Sequence, residues 1–149
     1  MKRLTFEITI AASRQAVWAA MIGPETYQVW TAPFCDGSRF EGSWEPGDRI
    51  RFLGPDNMGM LSEVAEHLPA ERISLHHLGM VDNGVPDTSS DMARDWAGAY
   101  ENWHYADVPG GCQLTAEVDV SPNFEGFVLE KYPMALSALK ALCEEGGAL

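Results

Sequence analysis

The sequence predicts an α+β fold, an antiparallel sheet with its helices gathered on one face, and three observations carry that prediction. The first ten residues alternate, with Leu4, Phe6, Ile8 and Ile10 set against Thr5, Glu7 and Thr9, the period of a half-buried strand. From Arg39 onward several short alternating segments follow one another, separated by turn residues such as Glu45-Pro46-Gly47-Asp48 and Pro109-Gly110. The chain then closes on a long segment, Asn123 to Glu144, in which Phe124, Phe127, Val128, Tyr132, Leu136, Leu139 and Leu142 recur at helical spacing. Strands followed by one long amphipathic helix pack as a sheet covered on one side.

Each element has a local reason. Ser13 is placed to cap a helix reaching about Ile22, with Val17, Ala20 and Met21 on its inner face. Gly23-Pro24 ends it, and Pro24 suits the first turn of a second short helix that stops near Trp30, ahead of Pro33. Strands are expected around Phe40, from Asp48 to Leu53, from Met58 to Leu68 and from Arg72 to Leu78. Gly79 to Asp95, rich in Asp, Ser, Gly and Pro, reads as a long mobile loop able to cover a pocket. Trp96 to Asp107 and Cys112 to Val120 form a hairpin, and Pro133 is expected to kink or restart the final helix.

Composition narrows the function. One domain of 149 residues can bury a proper core. Ten basic against 22 acidic residues give a net charge of -12, with no basic cluster, which argues against a nucleic-acid partner. No apolar run is long enough for membrane insertion. Cys35, Cys112 and Cys143 are few and far apart, fitting reduced thiols in a cytoplasm rather than disulfides. The histidines His67, His76, His77 and His104 show no ligand spacing, and His76 and His77 point to opposite faces, so neither metal nor other cofactor is expected.

Strand parity then selects the inward residues. Pairing across Pro109-Gly110 sets Tyr105 against Leu114, Trp103 against Ala116 and Glu101 against Val118. Leu114, Ala116 and Val118 are the apolar row, so Glu101, Trp103 and Tyr105 face inward with them. The turn at Pro69-Ala70 likewise puts Ile73, Leu75 and His77 on one face, opposite Val64 and Ser62. Phe40, Ile50 and Phe52 form an inward wall with Trp30 near its rim, while Arg39, Arg49 and Arg51 point to water. The helix adds Phe127 and Tyr132. Candidate ligand-binding residues are therefore Trp30, Phe40, Phe52, Ser62, His77, Glu101, Trp103, Tyr105, Phe127 and Tyr132. Glu101 is the sharpest of them, because an inward carboxylate must be protonated, paired or hydrated.

The order and spacing of IAASRQAVWAAM, PETYQVWT, EGSWEPGDRIRF, HHLGMVDNGVPDTSS, WAGAYENW and YPMALSALKALCE resemble the AHSA1-like branch of the SRPBCC (START/Bet v 1-like) superfamily across essentially the whole chain. The resemblance implies the helix-grip fold, a curved sheet wrapped around the C-terminal helix, with an apolar cavity between them. It implies much less about function, since the wider superfamily carries lipids, binds hormones and plant metabolites, or cyclises polyketides. The expected activity is binding of a small apolar or amphipathic molecule, and a homodimer is compatible with the chain. The competing reading is a cyclase, hydrolase or dehydratase using Glu101 as general acid or base with His77. A protein-interaction adaptor related to chaperone regulation is the third; it predicts a filled interior and an exposed apolar patch.

Overall fold

The computed structural model describes residues 1–146. The elements run β1 (Lys2–Ile10), α1 (Arg14–Ile22), α2 (Pro24–Trp30), β2 (Arg39–Gly42), β3 (Arg49–Leu53), β4 (Gly59–Leu68), β5 (Arg72–Asp82), β6 (Val85–Asp87), α3 (Asp91–Trp96), β7 (Tyr100–Val108), β8 (Gly111–Val120) and α4 (Pro122–Gly146). Eight antiparallel strands form one curved sheet in the order β1-β8-β7-β5-β4-β3-β2, with β6 added beside the end of β5. The long helix α4 lies in the curve, against β1, β8, α1 and α2.

Local chemistry sets most boundaries. The Ser13 side chain accepts from the Ala16 N–H at 3.1 Å, capping α1. Pro24 opens α2, where its missing N–H costs nothing. The β7–β8 register is the one parity predicts, with Tyr105 opposite Leu114, Trp103 opposite Ala116 and Glu101 opposite Val118 across a two-residue loop. The helix α4 continues through Pro133 as one element instead of restarting there. Pro133 and Leu129 both lie on its exposed side, where water can take the carbonyl that proline leaves without a donor.

Two register shifts reshape the middle of the sheet. Between Val64 and Glu66 one residue of β4, Ala65, has no partner in β5. The shift puts His67 on the same inner side as Val64, although the two are three residues apart. Its Nδ1 lies 2.8 Å from the Trp44 carbonyl and its Nε2 accepts the Trp18 indole N–H at 2.9 Å. A second shift leaves Leu78 unpaired in β5, so that His77 and Met80 both face inward, the latter opposite Met60. Gly59 is required where β3 and β4 approach: a Cβ there would lie 1.8 Å from the Phe52 carbonyl oxygen.

The segment Gly79 to Asp95 differs from the loop expected of it. It contains the end of β5, the short strand β6 and the helix α3. Asn83 and Gly84 make the β5–β6 turn, both at positive φ, and Ser90 caps α3 by accepting from the Ala93 N–H at 3.2 Å. The helix is held by long-range packing: Trp96 meets Phe124 of α4 at 4.8 Å, and Asn123 donates to Asp95 at 2.9 Å.

The core lies between sheet and α4. Ile10, Val17, Met21, Ile50, Ile73, Leu114, Val120 and Leu139 are fully buried, each aliphatic side chain stabilising the fold by roughly 1.5–3 kcal/mol. Among the described residues, no helix is long and apolar enough to cross a membrane.

Candidate functional site

Between the inner face of the sheet and α4 the core gives way to a pocket of about 690 Å³, within the range of small-molecule sites. Strands β3, β4 and β5 supply Phe52, Met60, Leu75, His77 and Met80, and β7 and β8 supply Glu101, Trp103 and Val118. Tyr27, Trp30 and Phe34 enter from α2 and the segment after it, Trp96 from α3, and Phe124, Phe127, Val128 and Tyr132 from α4. Nine of the 25 lining residues are aromatic, which sets large, flat, rigid carbon surfaces among the smaller side chains. A smaller cleft of about 190 Å³, by Glu41, Arg49, Arg51 and Pro86, has no comparable apolar wall.

One connected set of polar side chains interrupts that surface. Tyr132 donates its hydroxyl to Glu101 Oε2 at 2.5 Å, and the Trp103 indole N–H points at the same group, 2.9 Å from the Tyr132 oxygen and 3.3 Å from Glu101 Oε2. His77 Nε2 lies 3.6 Å from Glu101 Oε1. On the far side of the ring, His77 Nδ1 is 2.7 Å from the hydroxyl of the fully buried Ser62. That hydroxyl has no other hydrogen-bond partner among the described residues, so donating to Nδ1 satisfies its proton; the remaining ring proton then sits on Nε2, facing Glu101. Burial first, and then the nearby Glu101 charge, push both Tyr132 and Tyr27 above the ordinary tyrosine range. Both phenols therefore stay protonated at neutral pH, and Tyr132 serves as a fixed donor.

The pocket brings together seven of the ten residues selected from sequence: Trp30, Phe52, His77, Glu101, Trp103, Phe127 and Tyr132. Trp30 is deeper than a rim position, 2% exposed with its indole N–H donating to the Met21 carbonyl. The other three do not reach the pocket surface. Phe40 packs edge-on against Tyr27 and Trp44 at the other end of the wall. Tyr105 is buried with its hydroxyl 3.0 Å from Met21 Sδ. Ser62 stands behind His77, its hydroxyl against the ring Nδ1.

Sequence reasoning missed Tyr27 and Phe34, which belong to segments with too little periodicity to orient. It missed Met80 because that residue lay in the supposed loop, and Trp96 because it was read as the start of the hairpin strand, whereas it closes α3 and β7 begins only at Tyr100. Met60 carried a usable signal, being two residues from Ser62 and in phase with it. The four histidines have separate partners: His67 the two tryptophans, His76 Glu63, His77 Ser62 and Glu101, and His104 Glu117. Among the described residues no three metal-ligating side chains converge.

No protein-family model matches this sequence, and no curated protein matches it. Solved structures do. The Aha1 dimer from Colwellia psychrerythraea superposes with a TM-score of 0.74 at 17% identity, over 97% of each chain. The protein MLL2253 from Mesorhizobium loti gives 0.74 at 15% identity over 97% of this chain and 98% of its own. DynU16, a protein of the dynemicin biosynthetic locus, gives 0.71 at 14% identity over 98% of this chain and 48% of its own. The likeness to these structures is one of fold. The chain has the helix-grip fold. In this helix-grip protein the gripped helix is α4, and the pocket lies where α4, α2 and α3 converge over the central strands.

Proposed function

We propose that this helix-grip chain is a single domain that binds a small apolar or amphipathic molecule in the pocket between the sheet and α4. The observation that carries the reading is the pairing of an aromatic-rich cavity with one compact polar cluster, Glu101, Tyr132, Trp103 and His77. Apolar walls provide the driving force on burial, and a few fixed polar groups orient the ligand. Phe52, Trp30 and Phe127 act as walls, and Ser62 holds the His77 ring. The free thiols Cys35, Cys112 and Cys143 fit a reducing cytoplasm as the place of action. The neighbour described as a dimer makes self-association worth measuring by sedimentation.

The test is a polarity-sensitive naphthalene dye titrated into the protein, with tryptophan emission read in parallel. Saturable binding at one site is expected, and Phe52→Trp, which adds bulk to the wall, should weaken it with the thermal melt preserved. Absence of saturable binding to the unaltered protein would sink the reading.

A second reading, a proton-transfer enzyme, has its own support. Glu101 lies within reach of the pocket and is coupled to Tyr132 and, through His77, to Ser62, an arrangement suited to taking and returning a proton. Turnover abolished by Glu101→Gln, with ligand affinity kept, would favour it over simple binding.

A further inference from the structure

The charges around the pocket are of one sign. Among the lining residues the formally charged side chains are Asp56 and Glu101, and no Lys or Arg stands with them. Glu101 is also incompletely satisfied. Its Oε2 takes the Tyr132 hydroxyl at 2.5 Å and the Trp103 N–H at 3.3 Å. The donor facing Oε1, His77 Nε2, is 3.6 Å away, outside good hydrogen-bond distance. The side chain keeps 19% of its surface accessible, so this oxygen has spare acceptor capacity beside an apolar space.

The Ser62 contact favours a neutral His77 ring. A protonated ring would donate from Nδ1 to Ser62 and leave the proton of that fully buried hydroxyl without an acceptor. The Glu101 carboxylate meets Trp103 and Tyr132 at their polar edges, the indole N–H and the phenol O–H, with Trp30 packed against Trp103 and Phe34 against Tyr132. A carboxylate with an open acceptor oxygen beside an apolar wall attracts a cation through a charge-assisted hydrogen bond.

Building on the pocket-binding reading, we infer that the polar end of the ligand is a cation: a hydrophobic amine whose ammonium group donates to Glu101 while its ring or chain lies against Phe52, Met60 and Phe127. An anionic amphiphile, such as a carboxylate of the same skeleton, would set two like charges together in a low-dielectric site. A neutral alcohol could donate one hydrogen bond but would lack the charge. The net charge of -12 adds long-range attraction for cations.

Three probes of one skeleton separate these cases: 1-naphthylmethylamine, 1-naphthalenemethanol and 1-naphthoate. Each is titrated by calorimetry and by competition with the bound dye, in roughly 0.5 M salt so that surface attraction is screened. The amine should bind at least about tenfold more tightly than the alcohol, and the naphthoate more weakly than either. In Glu101→Gln the advantage of the amine should fall below about threefold while the alcohol still binds. Equal affinities for all three, tightest binding of the naphthoate, or an amine preference unchanged in Glu101→Gln would overturn the inference and leave the pocket reading standing. Failure of all three to bind while the dye still does would overturn the inference alone, and failure of the dye as well would overturn both. The ranking on the unaltered protein is decisive by itself should the variant misfold.

Discussion

Replacing Tyr132 by phenylalanine removes one oxygen atom and keeps the ring, which stacks on Phe6 at 4.9 Å and 11°. That oxygen donates to Glu101 Oε2 at 2.5 Å and lies 2.9 Å from the Trp103 indole nitrogen. A hydrogen bond to an ionised group contributes about 1.5–3 kcal/mol. The Trp103 N–H retains Glu101 Oε2 at 3.3 Å as an alternative acceptor, which offsets part of the loss. Tyr132→Phe should therefore destabilise by about 2 kcal/mol. With Glu101→Gln already present the acceptor is neutral, and the same change should cost about 1 kcal/mol. The coupling between the two sites is then about 1 kcal/mol. Urea denaturation of the four proteins, with equal m-values, measures it. A cost below about 0.5 kcal/mol, within the range of an ordinary surface change, or the same cost in both backgrounds, would refute the assigned hydrogen bond.

His77→Ala should destabilise by about 2–3 kcal/mol, more than Glu101→Gln, because it opens a void and leaves the Ser62 hydroxyl without its partner; the double mutant should recover part of the sum, and strict additivity in urea melts would show that the 3.6 Å contact carries no energy. Alkali should unfold the protein in two stages. Burial raises Cys112, and Cys143 up to about 11, so stability present below the unfolded thiol value, near ~9, is lost as pH rises above it. Above about 10 the loss should steepen by roughly 1.4 kcal/mol per pH unit for each of Tyr27, Tyr105 and Tyr132, whose neutral forms the fold favours; urea midpoints that stay constant from pH 9 to about 11 would contradict this. Nucleic acid should not bind at physiological salt, and a salt-sensitive gel shift at micromolar protein would show otherwise.

The parts of the fold legible in sequence were those fixed by local chemistry. Ser13 caps, Gly23-Pro24 breaks and the Pro109-Gly110 turn each act within a few residues, and the last sets a register free of bulges, so Glu101 and Trp103 could be placed inward by counting. Counting fails at Ala65 and Leu78, where an unpaired residue reverses parity and brings His67 and Met80 inside. Nothing near either residue announces the shift; it follows from which partner each strand meets. The same holds for β6 and α3. A three-residue strand and a six-residue helix have too little propensity to stand alone and exist because β5, Phe124 and His77 offer surfaces to pack on. The polar cluster was half legible: His77 and Glu101 by parity, Tyr132 as a helix position, but not their joining, which depends on how α4 crosses the sheet.

The two ends of the sheet are finished differently, and this limits how copies of the chain can meet. At β1 the long helix reaches across to the strand at both ends. Lys2 pairs with Glu125 at 3.0 Å, while Lys140 donates to the Thr9 carbonyl and Glu144 accepts the Ala11 N–H, each at 3.0 Å. At the other end β2 offers four residues, two of them the charged Arg39 and Glu41, and terminates at Gly42 with φ +117°. Neither margin is a long, flat, apolar ribbon of the kind that templates another strand. Charged side chains at both borders and the short, twisted β2 thus disfavour growth of the sheet from one molecule into the next.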